Sequence, residues 1–125
     1  MSNILIIDDS WLTRRGLKRI LEGDGHAVIE AENGRMGMEI LKNNHAGVDL
    51  VILDLLMPEM NGVLFLETLQ KDKITVPVVV LTADIQHTVK EKCIGLGADA
   101  FLNKPPDPGV MLSTIHKILN DISGG

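Results

Sequence analysis

A chain of 125 residues has room for one folded domain, and 45% hydrophobic with 23% charged residues is ordinary for a soluble globular protein. The 17 acidic residues outnumber the 12 Lys and Arg, giving a formal net charge of −5 that argues against direct nucleic-acid binding, which needs clustered positive charge. With 2 Phe, 1 Trp and no Tyr there is little material for base stacking or a flavin sandwich, and the single Cys93 excludes an internal disulfide or a multi-cysteine zinc site.

Residues 4–7 form a short apolar run that ends in Asp8-Asp9-Ser10. Leu17, Ile20 and Leu21 then repeat at helical spacing, with Ser10 placed to N-cap them. Residues 27–31 read as a second strand, after which Asn33-Gly34 opens a helix carrying Met38 and Leu41. Residues 50–53 form a third strand ending at Asp54, followed by Leu66 and Leu69 on a third helix. The fourth strand, 78–81, ends at Thr82, which could also N-cap the helix suggested by Ile85, Val89, Cys93 and Leu96; Gly95 and Gly97 close that helix. Residues 100–102 form the last strand, which leads to Lys104, and Met111, Ile115, Ile118 and Ile122 mark the last helix.

The strands are nearly continuous in Val, Ile and Leu, as strands covered on both faces are. Five strand–helix units therefore predict an α/β fold with a parallel sheet and helices on both faces, in a single domain over residues 1–125 with no output domain in this chain. No apolar run approaches the roughly 20 residues of a membrane span. Met1-Ser2-Asn3 lacks the basic start of a signal peptide. A cytoplasmic protein without membrane attachment is expected.

In open α/β sheets, ligands bind beyond the carboxyl ends of the strands. Asp8, Asp9, Asp54, Thr82 and Lys104 all follow such ends, and with strand order 2-1-3-4-5 the carboxylates would share one crevice. Carboxylates packed together repel one another unless a cation neutralises them, and a small hard divalent ion such as Mg²⁺ suits an oxygen donor set. A carboxylate nucleophile, a metal, a lysine and a hydroxyl together describe phosphoryl transfer to Asp54. An isolated acid at a strand end is usually a helix cap or solvated; here the whole constellation carries the reading. His26, His45, His87 and His116 show no ligand spacing and read as surface or structural, and Cys93 reads as a small core residue.

These motifs resemble the receiver domains of two-component response regulators, including the single-domain chemotaxis regulator. The matching segments are Asp8-Asp9-Ser10, Asn33-Gly34, Asp54-Leu55-Leu56-Met57-Pro58-Glu59-Met60-Asn61-Gly62, Leu81-Thr82-Ala83 and Gly97-Ala98-Asp99-Ala100-Phe101-Leu102-Asn103-Lys104-Pro105. The resemblance implies a doubly wound, flavodoxin-like sheet of order 2-1-3-4-5. It implies that Asp54 accepts phosphate from a sensor histidine kinase or phosphotransfer protein, so that the chain is a regulatory phosphoacceptor rather than an enzyme. It also implies Mg²⁺ held by Asp9 directly, Asp8 largely through water, Asp54, and the backbone carbonyl of Leu56. Thr82 and Lys104 would hold phosphoryl oxygens, Thr82 and Phe101 would form the switch, and Lys104-Pro105 would be a cis peptide. A downstream target protein would dock on the fourth helix, fifth strand and fifth helix, including Ile85, Lys90, Phe101, Asn103 and Val110.

Leu56, Phe101 and Pro106 depart from common family usage: many relatives carry a polar residue, a Tyr and no second Pro at these positions. Leu56 and Asp84 would flank the approach of hydrolytic water. Rival chemistries fit less well. A haloacid-dehalogenase-like phosphatase would need Asp-x-Asp in place of adjacent acids, and a flavodoxin-like carrier would need a Ser/Thr/Gly loop where Asp8-Asp9-Ser10-Trp11 stands. There is no Gly-x-x-x-x-Gly-Lys loop for a nucleotide. A receiver that acts only as a docking module would have no use for all five polar residues.

Overall fold

The computed structural model describes residues 2–57, 60–83 and 86–123. Of the residues singled out above, Met1, Pro58, Glu59, Asp84 and Ile85 lie outside them, as do the side chains of His45 and Ile122. Strands and helices alternate: β1 (Asn3–Ile7), α1 (Trp11–Gly23), β2 (Ala27–Ala31), α2 (Gly34–Asn44), a 3₁₀ turn (His45–Gly47), β3 (Leu50–Leu53), α3 (Gly62–Lys71), β4 (Val78–Thr82), α4 (His87–Gly95), β5 (Ala100–Asn103) and α5 (Pro108–Ser123). The sheet is parallel throughout, in the order β2-β1-β3-β4-β5.

Alternation of side chains along each strand splits the core in two. Leu5, Ile7, Val51, Leu53, Val78 and Val80 face α2, α3 and α4, where they meet Met38, Leu41, Phe65, Leu66 and Cys93. Ile4, Ile6, Leu50, Ile52, Val79 and Leu81 face α1 and α5, where they meet Leu17, Leu21, Met111 and Ile115. Both faces of the inner strands are thus buried, which is why their sequences are apolar without interruption. Cys93 is fully buried, as its place on the apolar stripe predicts.

Helix starts are fixed locally. Ser10 accepts the Thr13 N–H at 3.2 Å, Asn33 Oδ1 accepts the Met36 N–H at 2.8 Å, and Asn61 Oδ1 accepts the Leu64 N–H at 3.0 Å. Three strands run one residue further than their apolar runs, because Asn3 still pairs with Ala27 and Thr82 with Asn103 in the backbone ladder. Thr82 therefore does not cap α4. That helix begins at His87 with Gln86 as its N-cap, and Gln86 makes no side-chain capping bond.

Candidate functional site

Register places the acids. Ile7 pairs with Leu53 across β1 and β3, so the next residues, Asp8 and Asp54, leave the sheet side by side. The Asp54 N–H donates to the Ile7 carbonyl at 3.0 Å, and the Asp8 N–H to the Ala31 carbonyl at 3.1 Å. Both carboxylates are buried, whereas Asp9 is exposed. Carboxylate oxygens of Asp8, Asp9 and Asp54 nonetheless lie within 4.8 Å of one another.

Lys104 arrives from the other side of the sheet. Its N–H donates to the Thr82 carbonyl at 2.9 Å, and a cis peptide joins it to Pro105. The ammonium reaches Asp8 Oδ2 at 2.7 Å and Asp54 Oδ2 at 3.3 Å, so the lysine is held more closely by Asp8 than by Asp54. The remaining oxygens are occupied too: Asp8 Oδ1 accepts the Ser10 N–H at 2.9 Å, and Asp54 Oδ1 the Leu56 N–H at 3.3 Å. Thr82 is fully buried at the end of β4, where it pairs with Asn103, and the half-buried Phe101 of the neighbouring strand pairs with Val80.

Burial pushes the Asp54 carboxyl above its usual range, and the Asp8 charge adds to this, while the Lys104 charge and the Leu56 N–H pull the other way. For Lys104 burial opposes the charged form, but the hydrogen bond and charge of Asp8, helped by Asp54, outweigh it and raise the ammonium above its usual range. Three carboxylates meeting one ammonium favour an added cation. The donors are all oxygen and the group is open on the Asp9 side, which fits a hydrated Mg²⁺ better than a softer metal.

Close backbone contacts hold the surrounding loops. A Cβ on Gly62 would stand 2.7 Å from the Asp54 carbonyl oxygen and 2.5 Å from Leu55 Cδ2, and one on Gly34 would collide with the Met60 carbonyl. Met60 itself has a positive φ of 68°.

Two features escape a reading of the sequence. Arg14 Nη1 donates to the Asp8 carbonyl at 2.7 Å while its Nε pairs with Glu30 at 3.1 Å, which ties the loop after β1 to β2. Its position one turn into α1 was the available signal. Asp24, His26 and His116 also meet, at the end of the sheet where β2 begins, whereas Asp54 follows the carboxyl end of β3; Asp24 Oδ2 lies 2.9 Å from His26 Nε2 and 2.5 Å from His116 Nε2. No spacing announces a contact across 92 positions.

Residues 4–116 match the family profile described as the response regulator receiver domain. The chain is 37% identical over 121 residues to Protein PilH of Pseudomonas aeruginosa, covering 95% of this chain and 98% of that protein. It is 40% identical over 105 residues to the KDP operon transcriptional regulatory protein KdpE of Escherichia coli, covering 84% of this chain but only 45% of KdpE. Among solved structures, the CheX–CheY–BeF3–Mg complex from Borrelia burgdorferi matches with a TM-score of 0.89 at 29% identity, covering 94% of this chain and 88% of that one.

Proposed function

The chain belongs to the response regulator receiver domain family, and on that premise we propose that it is a phosphoacceptor switch, with Asp54 taking a phosphoryl group from the phosphohistidine of a sensor kinase or phosphotransfer protein. The observation that carries this reading is the convergence of Asp8, Asp9, Asp54 and Lys104 at adjoining strand ends.

A carboxylate oxygen of Asp54 attacks phosphorus in line. The new P–O bond forms as the donor's P–N bond breaks, and the departing imidazole keeps its electron pair and takes up a proton. Asp54 needs no general base, because its nucleophilic form is the anion. Lys104 swings its ammonium from between the two carboxylates onto a phosphoryl oxygen, and the Thr82 hydroxyl donates to another. Mg²⁺, held by Asp8, Asp9, Asp54 and the Leu56 carbonyl, would supply neutralisation of the phosphoryl charge. The Borrelia complex, which combines a CheY with BeF3 and Mg, agrees with this reading.

Moving Thr82 toward the phosphoryl group leaves room behind it for Phe101, which has no hydroxyl to satisfy on burial. Phosphorylation would thus reshape the face made by α4, β5 and α5, where Lys90, Asn103 and Val110 are exposed, and a downstream protein would read it there. On this reading the chain is a regulator, not an enzyme. No helix of the described residues is long and apolar enough to cross a membrane; a cytoplasmic place, where kinase donors are found, completes the proposal.

The test is intact-mass measurement after incubation with acetyl phosphate and Mg²⁺. One added phosphoryl group is expected in the wild type and none in Asp54→Asn. A wild type that stays unmodified, or equal modification of Asp54→Asn, overturns the reading.

A further inference from the structure

Away from the Asp54 crevice, two side chains close in sequence and a third 92 positions on turn their donor atoms to one point. Asp24 caps the end of α1, His26 stands one residue before β2, and His116 lies on α5. The two imidazoles present the same nitrogen, Nε2, to a single oxygen of Asp24, at 2.9 Å from His26 and 2.5 Å from His116. We propose that Asp24, His26 and His116 form a second metal site, for a borderline divalent transition metal such as Zn²⁺, with a water completing the shell.

Two imidazole nitrogens and one carboxylate oxygen are the donors such ions prefer, whereas Mg²⁺ prefers oxygen alone. The two ends of the sheet would therefore select different metals. Around a tetrahedral Zn²⁺ neighbouring donor atoms stand about 3.3 Å apart. The Asp24 oxygen stands closer than that to each nitrogen, and all three atoms lie within 4.8 Å of one another, so a bound ion would need the two oxygen–nitrogen distances to lengthen by less than about 1 Å. Access is given by His116, whose side chain is 50% exposed, while His26 is held in place at 9% and Asp24 stands between them at 25%.

Charge and proton balance also work. In the metal-free protein each Nε2–H can donate to Asp24. Coordination needs the Nε2 lone pair, so each ring proton moves to Nδ1 and none is lost from a neutral imidazole. For His26 that transfer has a cost, because its Nδ1 is buried without a hydrogen-bond partner. Metal-ligating histidines usually have such a partner, and its lack weakens binding by about ten- to a hundred-fold. The site is accordingly weaker than one with that partner, filled and emptied by supply rather than a permanent structural centre. When filled it would pin α5 to the end of α1 and the start of β2, elements that share the core around Leu17, Leu21, Met111 and Ile115.

The test uses the full chain without an affinity tag, titrated with Co²⁺ in millimolar Mg²⁺ so that the all-oxygen crevice is already supplied. One equivalent should bind, with the visible absorption of a four-coordinate nitrogen–oxygen site, and Zn²⁺ should displace it and raise the melting temperature. His116→Gln, on an exposed helix face, should fold normally and lose at least about ten-fold in Zn²⁺ affinity, and Asp54→Asn should leave that affinity unchanged. Absence of stoichiometric binding, binding unaffected by His116→Gln, or binding abolished by Asp54→Asn would each overturn the proposal. None of these results bears on whether Asp54 accepts phosphate.

Discussion

Lys104 and Asp8, 96 positions apart, are joined by an ion pair of 2.7 Å in which the carboxylate is almost wholly buried. The lysine therefore balances the acid cluster before any phosphoryl group arrives. Removing it in Lys104→Met should leave a buried carboxylate without its partner and destabilise the protein in EDTA by about 1–3 kcal/mol. Phosphorylation by acetyl phosphate should slow about a hundred-fold. Mg²⁺ should bind no more weakly, since a competing cation has gone. Urea denaturation, mass spectrometry and calorimetry read these three effects, and a weaker Mg²⁺ site would show that the lysine supports the metal instead of competing with it.

Asp54 carries a pH signature. Its folded-state pKa is raised, chiefly by burial, so the native state holds the proton more tightly than the unfolded chain does. Its ionised form therefore costs stability above the folded pKa, and the cost vanishes below the ordinary carboxylate value of about 4. In EDTA, Asp54→Asn should melt higher than wild type at pH 7, with the gap closing as the pH falls toward that value. Mg²⁺ should narrow the gap at pH 7 by raising the wild type. A gap independent of pH would show that the carboxylate charge is already compensated.

Leu56 is 57% exposed at the rim, with only its backbone N–H committed to Asp54. A polar side chain there could hold the water that attacks phosphorus opposite the Asp54 oxygen. Leu56→Asn should lose its phosphoryl group several-fold faster, the effect of about 1 kcal/mol from one positioned hydrogen bond. The measurement is decay of purified phosphoprotein with Mg²⁺ and without kinase; equal or slower decay would refute control from this position.

Gly62→Ala should be costly for steric reasons. The added methyl meets backbone at Asp54 and Leu55, which cannot rotate aside as a side chain can. A loss of about 1–3 kcal/mol is expected, with slower phosphorylation because the acceptor's own carbonyl must shift. A variant with wild-type stability would mean that the loop after β3 relaxes freely.

Thr82→Ala separates chemistry from switching. The variant should still accept phosphate at Asp54 but lose most of the gain in target affinity, since in the proposed switch the hydroxyl would couple the phosphoryl group to Phe101. Full response to phosphorylation in this variant would dismiss that coupling.

The sheet was legible because both its faces are covered. Apolar runs as unbroken as those of β1, β3 and β4 fit few other settings, and each inner strand ends in a polar residue that marks its carboxyl end. What periodicity hides is anything set by the ladder rather than by hydrophobicity. The extension of β4 through Thr82 is such a case, and it moved that residue from a supposed helix cap to the last rung of a strand. Proximity across the fold was also hidden. Lys104 could be placed at the rim, but its closer attachment to Asp8 depends on side-chain reach. The meeting of Asp24 with His116 depends on how α5 lies against α1, which no local pattern encodes.

The order of the strands has a consequence for biosynthesis. β5, at the far edge of the sheet, is the last strand made, and Lys104 directly follows it. At about 5–20 residues per second, a ribosome needs roughly 3–10 s to pass from Asp54 to Lys104. Through that interval a nascent chain can hold Asp8, Asp9 and Asp54 yet lack the lysine that balances them. Truncated products of aborted translation would share this defect, so they would draw little phosphate from the kinase. On the proposed function, a phosphoryl group at Asp54 would thereby mark a chain made at least through Lys104.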